Sequence, residues 1–160
     1  MTATPDSAPD TSAPDTSAPD LGEVVITRVF DAPRELVYDC MLDPKHLTHF
    51  WGPTGTHTPI ENILVEPYVG GRFETVMVND SDGQEYTSTG TFLELDRPAV
   101  IAWGEPNGMQ NRSTFVDLGD SRTEVTIHQT NVPAFFRTPE AQAGFRTSLD
   151  RFAAYLATQV

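Results

Sequence analysis

From Thr138 to Gln159 apolar residues recur at helical spacing, Phe145, Leu149, Phe152 and Leu156 forming one stripe, with Gln142, Arg146, Asp150 and Arg151 on the opposite face. The punctuation at the start of this stretch is that of a helix. Thr138 can cap, Pro139 fits the first position, where a missing N–H costs nothing, and Glu140 complements the positive end of the dipole. A helix of this length runs roughly 30 Å at ~1.5 Å per residue, enough to cross a small domain. Such a stripe must lie on something equally long, and the preceding chain offers strands.

The first predicted strand, Glu23 to Asp31, is β-branched and ends before Ala32-Pro33. Pro33 opens a helix to Leu42 with Leu36, Val37, Cys40 and Met41 on one face, and Asp43-Pro44 starts a second from Lys45 to Trp51, closed by Gly52-Pro53. Strands are then predicted over 57–66, 71–79, 84–95, 99–104, 111–118 and 122–131. Turn signals part the later ones at Gly70-Gly71, Asp82-Gly83, Asn107-Gly108 and Gly119-Asp120. The order β, α, α, six β, long α gives an α+β two-layer plan, an antiparallel meander with one face against the last helix. Alternation is clearest from Thr123 to Thr130, where Val125 and Ile127 point one way and Glu124, Thr126 and His128 the other. In the first strand both parities are nearly equally apolar, so either can face inward.

Residues 1–20 differ from the rest. Ser-Ala-Pro-Asp recurs at 7–10, 12–15 and 17–20, and no large apolar side chain follows Met1 in this stretch, so it is expected to be a disordered acidic tail, a spacer rather than a docking peptide. Residues 21–160 are expected to form one domain, a length sufficient to bury a real core.

Net charge is −13. Nine of the ten basic residues are Arg and Lys45 is the single Lys, so no basic run exists to hold nucleic acid or an anionic membrane surface, and neither is expected as a partner. One cysteine, Cys40, excludes an intrachain disulfide and fits a reducing compartment. With no transmembrane run and no signal-peptide pattern at the N-terminus, a cytoplasmic location is expected.

The opening run Ile26-Thr-Arg-Val-Phe30-Asp-Ala-Pro33-Arg-Glu-Leu-Val, followed by Leu42-Asp-Pro44-Lys-His-Leu and Phe50-Trp51-Gly52-Pro53, resembles bacterial proteins related to the C-terminal domain of the activator of Hsp90 ATPase, within the START-like, Bet v 1-like (SRPBCC) superfamily. Gly70-Gly71, Gly90-Thr-Phe92-Leu-Glu-Leu95, the strand ending at Trp103, Thr123-Glu-Val-Thr-Ile127 and Gly144-Phe145 extend the resemblance to residues 23–158. It implies the helix-grip fold, a curved antiparallel sheet wrapped around a long C-terminal helix, with a hydrophobic cavity between them and the two short helices near its mouth. Superfamily members bind lipids, hormones or polyketides, and some catalyse cyclisation or hydrolysis, so the fold alone does not assign function. Relatives commonly carry paired Trp where this chain has Phe50-Trp51, Gly-Trp where it has Gly144-Phe145, and a His near the position of Gln129.

No GxSxG, GxGxxG, Walker A, HExxH or CxxC pattern is present, so no catalytic residue and no cofactor is assigned. His46 and His49 stand three apart, a spacing that could bind a metal, yet only Cys40, Asp43 and His57 could complete the site; two surface histidines are the stronger reading, and no metal is expected. Cys40 shares its face with apolar residues and is expected to be a buried, inert thiol. Glu61, Glu74, Glu85 and Glu94 are assigned to solvent faces of strands. The informative set is aromatic. Trp51, Phe73, Phe92, Trp103, Phe115, Phe145 and Phe152, with Leu149, come from separate elements that the fold would gather, either as a filled core or as a cavity lining. Arg28, Tyr86 and His128 are the candidate polar groups of such a cavity. Arg28 shares parity with Val24, Ile26 and Phe30; if that side faces the helix its charge needs a partner or a ligand, and otherwise it is a surface residue.

The function expected is binding of a small hydrophobic or aromatic ligand. Two alternatives stand beside it: a co-chaperone-like interaction module with a filled core and a protein partner, and a cyclase or hydrolase using polar groups at the cavity mouth.

Overall fold

The computed structural model describes residues 20–160. The expected tail, residues 1–19, lies outside these; Asp20 is described, and its carboxylate accepts a hydrogen bond from Arg137 at 2.8 Å.

Eight strands form one antiparallel sheet: β1 (Leu21–Phe30), β2 (Thr56–His57), β3 (Ile63–Val65), β4 (Arg72–Asn79), β5 (Glu85–Asp96), β6 (Val100–Gly104), β7 (Gln110–Gly119) and β8 (Arg122–Pro133). Their order is β1-β8-β7-β6-β5-β4-β2, with β3 also paired to β4, so the meander from β4 to β8 is closed by β1 returning beside β8. Among the described residues three α-helices accompany the sheet: α1 (Arg34–Cys40), α2 (Pro44–Leu47) and α3 (Pro139–Ala157). This is the helix-grip arrangement that the resemblance implies and the α+β two-layer plan that the pattern predicts.

Helix α3 begins as its sequence dictates, the Thr138 hydroxyl accepting from the Ala141 N–H with Pro139 in the first turn. Leu149, Phe152 and Leu156 are buried against the sheet while Phe145, nearer the N-terminal end, is half-buried. Within the sheet the buried parity is set by register. Ile26 of β1 pairs with Ile127 of β8, and Val125 of β8 with Phe115 of β7, all four buried on the helix side. That resolves the first strand: Val24, Ile26, Arg28 and Phe30 face inward.

Two elements differ from expectation. The segment 57–66 pairs only at its ends because Pro59, with no N–H for the ladder, opens a 3-10 turn over Ile60–Asn62, closed by Asn62 N–H donating to the Pro59 carbonyl. The second helix is one α-turn rather than a helix to Trp51. Beyond Leu47 the chain continues in tighter turns, with His49 and Phe50 N–H donating three residues back, and Gly52, at φ 103°, ends it in a conformation other residues rarely adopt. That turn segment brings Phe50 onto Phe152, ring centroids 4.2 Å apart, and so docks the short helices on α3. Among the described residues no helix is long and apolar enough to cross a membrane.

Candidate functional site

The inner face of the sheet and α3 do not close completely. Between them lies a cavity of about 190 Å3. Its apolar wall comes from four places in the chain: Phe50 and Trp51 after α2, Phe73 on β4, Trp103 on β6, and Phe145, Leu149 and Phe152 on α3. Trp51, Phe73 and Trp103 are mutually inclined, with centroid separations of 5.3 Å (Trp51–Phe73), 4.9 Å (Phe73–Trp103) and 6.5 Å (Trp51–Trp103). Two residues from the register partner of Trp103, β5 carries Gly90, where a Cβ would stand 3.0 Å from the indole; a larger residue would force the ring to shift.

A row of polar side chains crosses the floor. Asn111 of β7 and Gln129 of β8 are register partners, and the Gln129 amide donates to the Asn111 side-chain oxygen at 3.2 Å. The Asn111 amide in turn donates to the Ser113 hydroxyl at 3.2 Å. On the other side Thr75 pairs with Ser88 across β4 and β5, and the Thr75 hydroxyl accepts from the Trp51 indole N–H. Asn111, Ser113 and Thr75 are all buried. Buried polar side chains are costly unless paired, and this network joins side chains on separate strands.

Glu105 is the one ionisable residue lining the cavity among the described residues. It follows Trp103 by two on the same side of the chain. Burial pushes its carboxyl above the usual carboxylate range, with hydrogen bonding from the Trp103 side chain opposing that rise. A raised pKa in the fold means that the ionised form is disfavoured there. Glu105 therefore contributes stability below its unfolded pKa, and that contribution is lost as pH rises through the folded one. Glu105→Gln should accordingly melt higher than the parent at neutral pH and no higher in acid, which thermal scans at the two pH values check.

Glu105 and Ser88 also border an outer groove of about 1020 Å3, open to solvent and lined by Met77, Tyr86, Met109, Phe135 and Phe136. These two side chains stand where the groove meets the cavity. One side of the groove is the loop 52–56, which Arg151 of α3 holds by donating to the carbonyls of Gly52, Pro53 and Thr56 at 2.8, 3.0 and 3.1 Å. The arginine placed on the face opposite the apolar stripe is thus a clamp. Arg151→Ala should cost about 1–3 kcal/mol, since three carbonyls lose a charged donor, and should raise amide hydrogen exchange in the 52–56 loop.

Of the aromatic and apolar residues proposed from sequence, Trp51, Phe73, Trp103, Phe145, Leu149 and Phe152 line the cavity. Phe92 does not: it is buried behind Phe73, stacked at 5.5 Å. Phe115 is also core, packed edge-on against Tyr38. Among the proposed polar groups, Tyr86 is on the outer groove, Arg28 is paired with Asp150 of α3, and His128 lies on the outer face of the sheet, bonded to Glu23 at 2.7 Å. Arg28 does face the helix side, and the helix supplies its partner. The polar lining lies instead at Thr75, Ser88, Glu105, Asn111, Ser113, Gln129 and Ser148, none of them in the proposed set. The signal for Gln129 was present, as it continues the inward parity of Val125 and Ile127.

His46 of α2 and His49 in the turn beyond it are both engaged by α3. The His46 ring bonds to the Tyr155 hydroxyl at 2.6 Å and the His49 ring stacks on the same tyrosine. Among the described residues no three His, Cys, Asp or Glu side chains gather as a metal site would require. Cys40 is buried, and desolvation, reinforced by the charges of Asp39 and Asp43, pushes its thiol up to about 12. It should react with a thiol reagent only in denaturant, with no reaction in buffer over the same period; a fast reaction in the native protein would contradict this burial.

The chemistry available is therefore that of an aromatic box with a neutral hydrogen-bonding floor and one half-buried carboxyl at its mouth. A model of the family described as Activator of Hsp90 ATPase homolog 1-like protein matches residues 31–157. No curated protein matches the chain. Among solved structures, a Chromobacterium violaceum protein aligns with TM-score 0.76 and 26% identity over 84% of this chain and 96% of its own. An AHSA1-like protein from Aeromonas hydrophila aligns at 0.74 and 22% identity, covering 86% and 93%. A Rhodobacter sphaeroides protein gives 0.77 at 15% identity with the same coverage. At these identities the last two speak to the fold.

Proposed function

The chain belongs to the Activator of Hsp90 ATPase homolog 1-like family, and on that basis we propose that it binds a small apolar or aromatic ligand between the sheet and α3. One observation carries this reading: an aromatic cavity of about 190 Å3 with a buried polar row along its floor. An apolar cavity of ~150 Å3 suffices for benzene, so one ring and a short substituent fit within it. The outer groove offers room for a longer substituent to leave past Ser88 and Glu105. Apolar walls with a few placed polar groups are the usual composition of small-molecule sites.

Both tryptophans of the chain, Trp51 and Trp103, line the cavity, which makes their fluorescence a direct reporter. Titration with benzyl alcohol, a neutral single-ring probe, should change that emission saturably. A signal that stays flat up to the solubility limit of the probe would count against ligand binding at this site.

A second reading, an interaction surface for a protein partner, is favoured by Phe135 and Phe136, which are 74% and 47% exposed beside the outer groove. Replacing both with Ser should leave benzyl alcohol binding intact if the cavity is the working site.

A further inference from the structure

The charges around the cavity are distributed unequally. Glu105 lines it, and no Lys, Arg or His does among the described residues. The nearby guanidinium groups are committed elsewhere: Arg151 to the loop carbonyls, Arg28 to Asp150, and Arg112 to Glu94. Arg72 and Glu74 lie with Glu105 on a third hollow at the outer face, where Arg72 pairs with Glu66 and Glu74. An anionic ligand entering the cavity would meet a carboxylate and find no counter-charge. An ammonium group would meet that carboxylate together with Trp51, Phe73 and Trp103, three inclined rings whose negative faces attract cations. An aromatic corner with a carboxyl at its edge is the chemistry that recognises amines and quaternary ammonium groups.

Resting on the ligand-binding reading above, we infer that the cavity selects cationic amine ligands over neutral and anionic ones of the same shape, with Glu105 as the group that discriminates. The half-buried carboxyl, pushed up by desolvation, fits this assignment, since a buried cation would restore the favourable charge balance that burial removes.

The test uses three probes of nearly one shape, benzylamine, benzyl alcohol and benzoate, titrated against the full chain and against Glu105→Gln with tryptophan fluorescence as readout. Benzylamine should bind at least about tenfold more tightly than benzyl alcohol, about 1.4 kcal/mol, and benzoate most weakly. In Glu105→Gln the amine-to-alcohol affinity ratio should fall to about unity, whatever the change in the absolute affinity of either probe. A second measurement needs no variant. In the unsubstituted protein the amine-to-alcohol affinity ratio should rise as pH rises from about 4 to about 8, because only the ionised carboxylate pairs with the ammonium. The other titratable groups bordering Glu105 are Glu85 and Tyr86 on β5 and Arg72 and Glu74 on β4, all at the outer hollows; α3, β7 and β8 present only neutral side chains to the cavity. Equal binding of alcohol and amine, or an amine preference that survives Glu105→Gln, would overturn the inference and leave the cavity reading standing. Failure of all three probes to bind would overturn both.

Discussion

Phe152→Ala should destabilise the protein by about 3–5 kcal/mol, seen as a large fall in the chemical-denaturation midpoint with little change in slope. Phe152 is 4% exposed and is the ring on which two other segments converge. It stacks on Phe50 from the turn after α2 at 4.2 Å and lies 5.0 Å from Phe30 at the end of β1. Truncation removes the contact that docks the short helices on α3, and it enlarges a void that already exists, so partial collapse recovers little of the lost packing. Phe145 makes the contrast. It belongs to the same stripe but is half-buried and stands at the cavity wall. Phe145→Ala should therefore cost much less than Phe152→Ala. Equal losses would mean that Phe145 packs in a filled core and that the cavity is not open in solution.

The second large effect concerns binding. Ser148→Trp should weaken benzyl alcohol binding by at least about 100-fold, about 2.8 kcal/mol, with the melting temperature maintained or raised. Ser148 lies on the cavity side of α3 beside Leu149, and an indole there would occupy the space proposed for the ligand ring. Filling an existing void adds dispersion contacts without displacing packed atoms, so the protein should tolerate this change where a closed core would strain. Retained affinity in a folded Ser148→Trp variant would place the probe elsewhere. The outer groove would then be the first alternative, because Phe135, Phe136 and Tyr86 offer aromatic surface there.

The long helix was legible in full because its signals are local: a capping Thr, a Pro in the first turn and apolar residues at a 3.6-residue period. Four of the turns were legible for the same reason, marked by a glycine pair or by glycine next to Asp or Asn, while the β5–β6 turn at Arg97-Pro98 carries no such signal. The segment 57–66 was misread as one strand because its β-branched composition outweighed Pro59, whose missing N–H breaks the ladder. At the site, the aromatic walls were found by type, yet type does not tell cavity from core. Phe92 is separated from the cavity only by Phe73, a distinction that depends on packing between strands. The polar floor was missed for a different reason. Asn111 and Ser113 are isolated polar residues in a strand, which by composition read as solvent-facing; their inward direction follows once register sets them beside Gln129 and Ile127 of β8, and Gln129 itself was passed over although it continues the parity of Val125 and Ile127. Glu105 escaped notice because no charged neighbour perturbs it. Burial raises its pKa, with hydrogen bonding from the Trp103 side chain opposing, and both belong to the folded chain.

The most direct test of ligand binding in the cavity is a two-dimensional amide NMR titration of labelled protein with benzyl alcohol, following the indole N–H signals of Trp51 and Trp103. Both should shift saturably, together with the backbone amides of Phe145, Ser148 and Leu149, while Thr27 and Thr126 on the outer face of the sheet stay in place. A well-dispersed spectrum in which neither indole moves, or in which shifts are confined to Phe135 and Phe136, would contradict a binding cavity and move the working surface to the outside of the fold.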